Sequence, residues 1–169
     1  MVRSGARHPK SAGVSLALDR DAYRAMTNWH PVNERIIFAD FKHTFGKLHV
    51  VAAYAPPDTA TTIQKDAFYA ILDQVTSTYR TGLVLCLWDF NAVPGNDRSL
   101  APQLIGPLCF GTPNDNTDCL INFCLSNRLP ICGTWFRRLD IHRHSWYSND
   151  GHTTKEIDHI LVNTRWNAV

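Results

Sequence analysis

Short apolar runs separated by polar turns dominate the chain, and they predict a domain rich in strands. Alternating or continuous apolar stretches favour strands at residues 13–18, 36–41, 48–54 and 83–89. Shorter runs favour further strands near residues 129–132, 145–147 and 157–162. The polar segment at 43–47 predicts a hairpin between the second and third strands.

Two helices are predicted between these strands. Pro56 and Pro57 stop the third strand, and Asp58 or Thr59 can then cap a helix. The apolar residues that follow recur at helical spacing: Ile63, Ala67, Phe68, Ile71, Leu72 and Val75. A second helix is predicted from Thr117 or Asp118 to Asn127, with inward residues Leu120, Ile121, Cys124 and Leu125. Many strands with two intervening helices are typical of a mixed-sheet α/β sandwich.

Composition narrows the class of protein. The 169 residues are 44% hydrophobic and 19% charged, which is typical of one folded globular domain. We expect this domain at residues 13–169, after an irregular polar segment at 1–12. The net charge of +2 gives little electrostatic indication of nucleic acid, although a local basic patch is compatible with it. We see no membrane-length apolar run, signal peptide or C-x-x-C pair, so an intracellular protein of the nucleus or cytoplasm with reduced cysteines is expected, without a membrane partner.

Asp89 and Asn91 follow the most apolar run of the chain, at residues 83–88. Ligand sites of α/β sheets gather beyond the carboxyl ends of strands. Two residues apart on an extended chain, both side chains leave on one side and can face one phosphate or one hard cation. The alternative is an Asx turn that only ends the strand.

Other motifs accompany this pair in a definite order. Tyr-Ala-Pro stands at 54–56, Trp-Asp-Phe-Asn at 88–91, Asn-Asp-Asn at 114–116, Thr-Trp-Phe at 134–136, His-Ser-Trp-Tyr-Ser at 144–148 and Ile-Asp-His-Ile-Leu at 157–161. The ordered set resembles the endonuclease/exonuclease/phosphatase superfamily. Within it, the chain is most similar to the endonucleases of LINE-type retrotransposons and to the craniofacial development protein 2 group. The resemblance covers residues 13–162.

The resemblance implies a two-sheet α/β sandwich of the DNase I-like type and a metal-dependent phosphodiesterase that uses Mg²⁺ or Mn²⁺, with DNA as the substrate. By resemblance, Asp89 would activate or orient the attacking water, and Asn91 would hold the phosphate and, with Asp89, contribute to metal binding. Asp158 would orient a catalytic histidine. Tyr54 and Ser145 would contact the scissile phosphate. Without the resemblance, Tyr54 is a sheet-surface tyrosine and Ser145 a strand hydroxyl.

The histidines near the C-terminus support weaker hypotheses. On a strand, neighbours point to opposite faces, so His159 should face away from the site that Asp158 faces. His142, His144 and His152 favour a solvated loop, with a DNA-contacting loop or a zinc site as alternatives.

The chain also departs from the superfamily pattern. Trp88 stands where a glycine normally precedes the Asp, and it could crowd the site. The 169 residues contain neither the expected Glu-bearing strand before Gly13 nor a Ser-Asp-His motif. We therefore expect a domain truncated at both ends, with impaired catalysis and no indication of a homo-oligomer. The alternatives are an inactive remnant or nucleic-acid-binding module, and a phosphatase acting on another phosphoester.

Overall fold

The computed structural model describes residues 2–5 (backbone only), 13–44, 46–79 and 81–163. Its strands are β1 (Val2–Gly5), β2 (Gly13–Leu16), β3 (Met26–Asn33), β4 (Ile36–His43), β5 (Gly46–Ala53), β6 (Leu83–Asp89), β7 (Trp146–Tyr147), β8 (Thr154–Lys155) and β9 (Asp158–Val162). Its helices are α1 (Arg20–Ala25), α2 (Thr62–Ser77) and α3 (Thr117–Asn127), with 3₁₀ turns at Cys132–Trp135 and Asp140–His142. No helix in these ranges combines the length and apolar character needed to span a membrane.

A five-stranded sheet organises the fold. Its strand order is β3-β4-β5-β6-β9, and only the central β5–β6 pair is parallel. The parallel pair needs a crossover connection, which α2 supplies. Strands β1 and β2 form a separate antiparallel pair that lies against β3, β4 and β5, and β7 and β8 form a third, small pair.

Alternate residues of the central strands point to opposite faces of the sheet and pack into two separate apolar clusters. Ile36 of β4 and Val51 of β5 pack under the helices, with Phe68, Leu72, Leu120 and Cys124 on the helix side. Their neighbours Ile37 and Val50 face the other way and pack with Val14 and Leu16 of β2. Helices cover one face and a smaller sheet covers part of the other, which confirms the predicted mixed α/β architecture.

Several local predictions are wrong. Residues 2–5 form a strand, so this part of the N-terminal segment is not irregular, and residues 6–12 lie outside the described residues. Helix α2 is capped by Thr61, through a capping box with Gln64, and not by Asp58 or Thr59. The predicted strand at 129–132 is reduced to one bridge, Ile131 with Leu161, followed by a 3₁₀ turn.

Strand β3 and helix α1 were absent from the prediction. The β3 sequence, Met-Thr-Asn-Trp-His-Pro-Val-Asn, mixes apolar and polar residues without regular alternation. Its central residues are exposed, and β3 is an edge strand. Its conformation depends on pairing with β4, from Met26 opposite Phe41 to Asn33 opposite Ile36. Such pairing has no local apolar signal.

Candidate functional site

The loops that follow β5 and β6 are hydrogen-bonded to each other. They lie at the end of the sheet where both strands finish, which is called the edge from here on. The Ala55 amide donates to the Asp89 carbonyl oxygen (2.9 Å), and Asn91 Nδ2 donates to the Ala55 carbonyl oxygen (2.9 Å). Because β5 and β6 are parallel, their carboxyl ends meet, and these bonds hold Tyr54 next to the Asp89–Asn91 segment.

Strand β9 brings the distant part of the chain to the same edge. It runs antiparallel to β6, so its first residue, Asp158, lies opposite Asp89. The hydroxyl oxygen of Ser145 accepts hydrogen bonds from the amides of Ile157 (3.2 Å) and Asp158 (3.1 Å). The structure thus brings all five predicted residues to one edge: Tyr54, Asp89, Asn91, Ser145 and Asp158. Their catalytic roles remain predictions.

The Asp89–Asn91 segment is a tight turn that leaves two side-chain acceptors available. Asn91 has a left-handed backbone (φ 48°), and its amide donates to Asp89 Oδ1 (2.8 Å). The Asx turn considered as an alternative is therefore present, but it does not exclude a site. Since Asn91 Nδ2 donates to Ala55 and the turn uses only Oδ1 of Asp89, Asn91 Oδ1 and Asp89 Oδ2 remain as acceptors without a hydrogen-bond partner among the described residues.

The electrostatics at this edge disfavour the ionised form of Asp89. Burial raises the pKa of the half-buried Asp89 carboxyl to about 6; the Asn91 amide opposes this shift, and the Asp158 charge adds to it. The edge thus carries two carboxylates that face each other across β6 and β9. A perturbed carboxyl next to a second acid is typical of functional sites, because a cation relieves both burial and repulsion.

Residues that the sequence patterns did not single out hold this edge together. Arg35, in the turn between β3 and β4, donates from Nη1 to the carbonyl oxygens of Tyr54 (3.1 Å) and Ala55 (3.3 Å). Its guanidinium also lies 5.1 Å from the Tyr54 ring centroid. No sequence signal indicated Arg35, because the β3–β4 hairpin itself was missed.

The carbonyl oxygen of Asn91 connects the loop after β6 to the segment at 114–116. It accepts hydrogen bonds from Asn114 Nδ2 (2.8 Å) and Asn116 Nδ2 (3.1 Å). The Asn-Asp-Asn motif at 114–116 was part of the resemblance but carried no assigned role. The two asparagines of this motif are the sequence signal from which contacts with the Asn91 loop could have been predicted.

His159 and Trp88 lie opposite each other one step along the β6–β9 ladder. His159 is buried, donates from Nε2 to the Ala92 carbonyl oxygen (2.8 Å), and has a pKa lowered by burial. It faces the core and away from the exposed Asp158, as predicted. Trp88 is 45% exposed with a φ of 115°, a backbone conformation that favours glycine. It lines a cavity of about 490 Å³ with Leu87, Asp158 and Ile160.

A metal would find hard oxygen donors at this edge. Asp89 and Asp158 offer carboxylates and Asn91 a carboxamide oxygen, the donor types that Mg²⁺ and Mn²⁺ take. This donor set therefore fits such an ion in kind. Among residues 13–44, 46–79 and 81–163, no three or more His, Cys, Asp or Glu side chains are grouped to hold a metal, so the zinc hypothesis for the histidine loop gains no support there.

Comparisons with known proteins support the fold described above. No family model matches the chain. It is 29% identical to craniofacial development protein 2 of Bos taurus over 157 residues, which cover 92% of the chain and 26% of that protein. The same protein of Tragulus javanicus is 28% identical over 157 residues, with 92% and 27% covered. The endonuclease domain of TRAS1, a telomere-specific non-LTR retrotransposon, superposes with a TM-score of 0.63 and 12% identity, over 96% of this chain and 66% of that domain.

The chain has the fold of the endonuclease/exonuclease/phosphatase superfamily. The resemblance recognised from the sequence motifs is confirmed as a similarity, because both groups that it named are among the proteins that the chain matches. The chain spans about a quarter of the length of the curated relatives and about two thirds of the TRAS1 domain.

Proposed function

We propose that the chain is the core of a metal-dependent phosphodiesterase, most similar in type to retroelement DNA endonucleases. The observation that supports this proposal best is the meeting of Tyr54, Asp89, Asn91, Ser145 and Asp158 at one edge, although they are widely spread along the sequence. Phosphoryl transfer needs such groups around one phosphorus.

Each side chain has a role that its contacts permit. Ser145 Oγ accepts two amide protons, so its own O–H is free to donate to a phosphate oxygen. Asn91 can present Oδ1, and Asp89, ionised above its raised pKa, can orient a water for attack. Mg²⁺ or Mn²⁺, when bound, would neutralise charge on the phosphoryl oxygens. Asp158 would orient a histidine supplied by another segment.

The 169 residues should cleave weakly or not at all by themselves. They contain no Ser-Asp-His motif and no Glu-bearing strand before Gly13. Loss of one member of a catalytic unit typically lowers the rate by about 10³-fold or more. The test is Mg²⁺-dependent nicking of supercoiled plasmid by the chain and by a chimera that adds the flanking segments of bovine craniofacial development protein 2.

The chimera should nick DNA, and Asp89→Ala should abolish nicking, whereas Asn122→Ala on the exposed side of α3 should not. Strong nicking by the chain alone, lost in Asp89→Ala, would show that the absent segments do not matter. An inert chimera would refute the endonuclease proposal unless Trp88→Gly restores cleavage.

A nucleic-acid-binding module is the second candidate. Lys155 Nζ lies 5.7 Å from the ring centroid of the exposed Trp146, so a cation and an aromatic ring lie together beside Ser145. Salt-dependent binding of a labelled duplex without cleavage by the chimera would favour this candidate. Hydrolysis of a small phosphomonoester but not of DNA would favour the phosphatase alternative.

A further inference from the structure

Asn116 stands at the start of α3 but does not act as its cap. Asparagine is among the preferred N-cap residues because its side-chain oxygen accepts an amide of the first turn. Here the Asn116 side chain makes no capping hydrogen bond, although the residue occupies the N-cap position and its carbonyl accepts the Leu120 amide (3.0 Å). The usual local reason for an asparagine at this place is therefore missing.

The Asn116 carboxamide is instead directed to two loops. Its Nδ2 donates to the carbonyl oxygen of Pro56 (2.9 Å), just after β5, and to that of Asn91 (3.1 Å), just after β6. The residue is 1% exposed. Among the described residues, its Oδ1 has no hydrogen-bond partner. A buried carboxamide that leaves its oxygen unpaired is costly, and both of its donors serve the edge that carries the site.

We propose that Asn116 is a positioning residue that locks the Tyr54–Pro56 loop to the Asp89–Asn91 turn and so aims Asn91 Oδ1 into the site. Asn91 has a left-handed backbone, which asparagine tolerates better than most residues, and its carbonyl oxygen is held there by hydrogen bonds. The Asn116 side-chain amide donates to the Asn91 carbonyl oxygen and also to the Pro56 carbonyl oxygen, so one side chain holds both loops. The role assigned to Asn91 rests on the proposed function, whereas the locking of the two loops does not.

Asn114 provides an internal comparison. It also donates to the Asn91 carbonyl (2.8 Å), but its Oδ1 accepts the Val93 amide (3.1 Å), so its contacts stay on the β6 side. Replacing Asn114 should therefore disturb the loop after β6 alone. Replacing Asn116 should disturb the loops after β5 and β6 together.

The test is Asn116→Ser in the full chain, followed by NMR amide exchange. Serine is an equally good N-cap, so α3 should persist, but it cannot reach both carbonyls. Exchange of the Asn91 and Ala55 amides should rise about tenfold, as expected for loss of one or two buried hydrogen bonds. Asn114→Ser should raise exchange at Asn91 and at Val93, whose amide donates to Asn114, but not at Ala55. Unchanged exchange at Asn91 and Ala55 in Asn116→Ser, or changes confined to α3, would overturn the proposal.

A measurement on the unmodified protein guards against misfolding of the variant. The Asn116 side-chain amide protons should exchange much more slowly than those of the exposed Asn122; equal rates would overturn the proposal. In the active chimera, Asn116→Ser should lower kcat about 10–100-fold with little change in KM, because it misplaces a group rather than removing binding. An inert chimera would refute the proposed function, whereas the positioning role would still stand or fall with the exchange rates.

Discussion

Replacing Asp89 with asparagine should stabilise the fold at neutral pH. Asparagine keeps Oδ1, which accepts the Asn91 amide, so the turn is retained. The change removes a half-buried charge that faces Asp158 across the ladder. Stabilisation by loss of a proposed catalytic group is typical of sites held ready for a ligand.

The raised pKa sets the magnitude and its pH dependence. The unfolded chain loses the Asp89 proton near 3.8, whereas the folded protein keeps it up to about 6. The folded state therefore binds more protons in this window, so stability falls as the pH rises through it and levels off above about pH 6. The difference corresponds to about 3 kcal/mol, which solvent screening of a half-buried group reduces to about 1–2 kcal/mol.

Urea unfolding of the wild type and of Asp89→Asn measures this directly. The variant should be more stable by about 1–2 kcal/mol near pH 8 and nearly equal near pH 4. Asp66→Asn, at an exposed position on α2, controls for the loss of one negative charge and should change stability by less than about 0.5 kcal/mol. A variant that is less stable than the wild type near pH 8, or a gap that does not vary with pH, would refute the reasoning. Added Mg²⁺ should stabilise the wild type but not the variant if Asp89 binds the ion.

Three further pairs of substitutions test the fold. Trp88→Gly should be more stable than Trp88→Ala by about 1 kcal/mol in thermal unfolding, because only glycine suits the backbone there; the reverse order would show that the backbone at Trp88 is unstrained. Thr61→Ala should cost about 1 kcal/mol and Thr59→Ala nearly nothing, and equal losses would contradict the observed cap. Leu72→Ala should cost about 3 kcal/mol by urea unfolding and Ile63→Ala under about 0.5 kcal/mol, unless the helix faces the sheet differently.

Leu72 and Ile63 show which part of the burial of α2 hydrophobic periodicity predicts correctly. Both were predicted to face inward on α2, yet Leu72 is fully buried and Ile63 is 80% exposed. The buried side of α2 is formed by Lys65, Phe68, Leu72 and Thr76. At about 100° per residue, Ile63 lies on the opposite side of the helix from Leu72. The sequence pattern identified the helix, but the sheet that it packs against decided which apolar residues are buried.

The sequence alone determined the central strands and both long helices, because apolar periodicity is a local signal. The five candidate site residues came from the resemblance of short motifs, and their roles remain predictions. The sequence could not reveal β3, whose polar residues are held by pairing with β4, or Arg35 in the turn that follows. The direction of the Asn116 side chain was equally hidden. Local rules predict that this side chain caps the N-terminus of α3. The tertiary structure instead brings the carbonyl oxygens of Pro56 and Asn91 within its reach, and two buried carbonyl oxygens outweigh one helix cap.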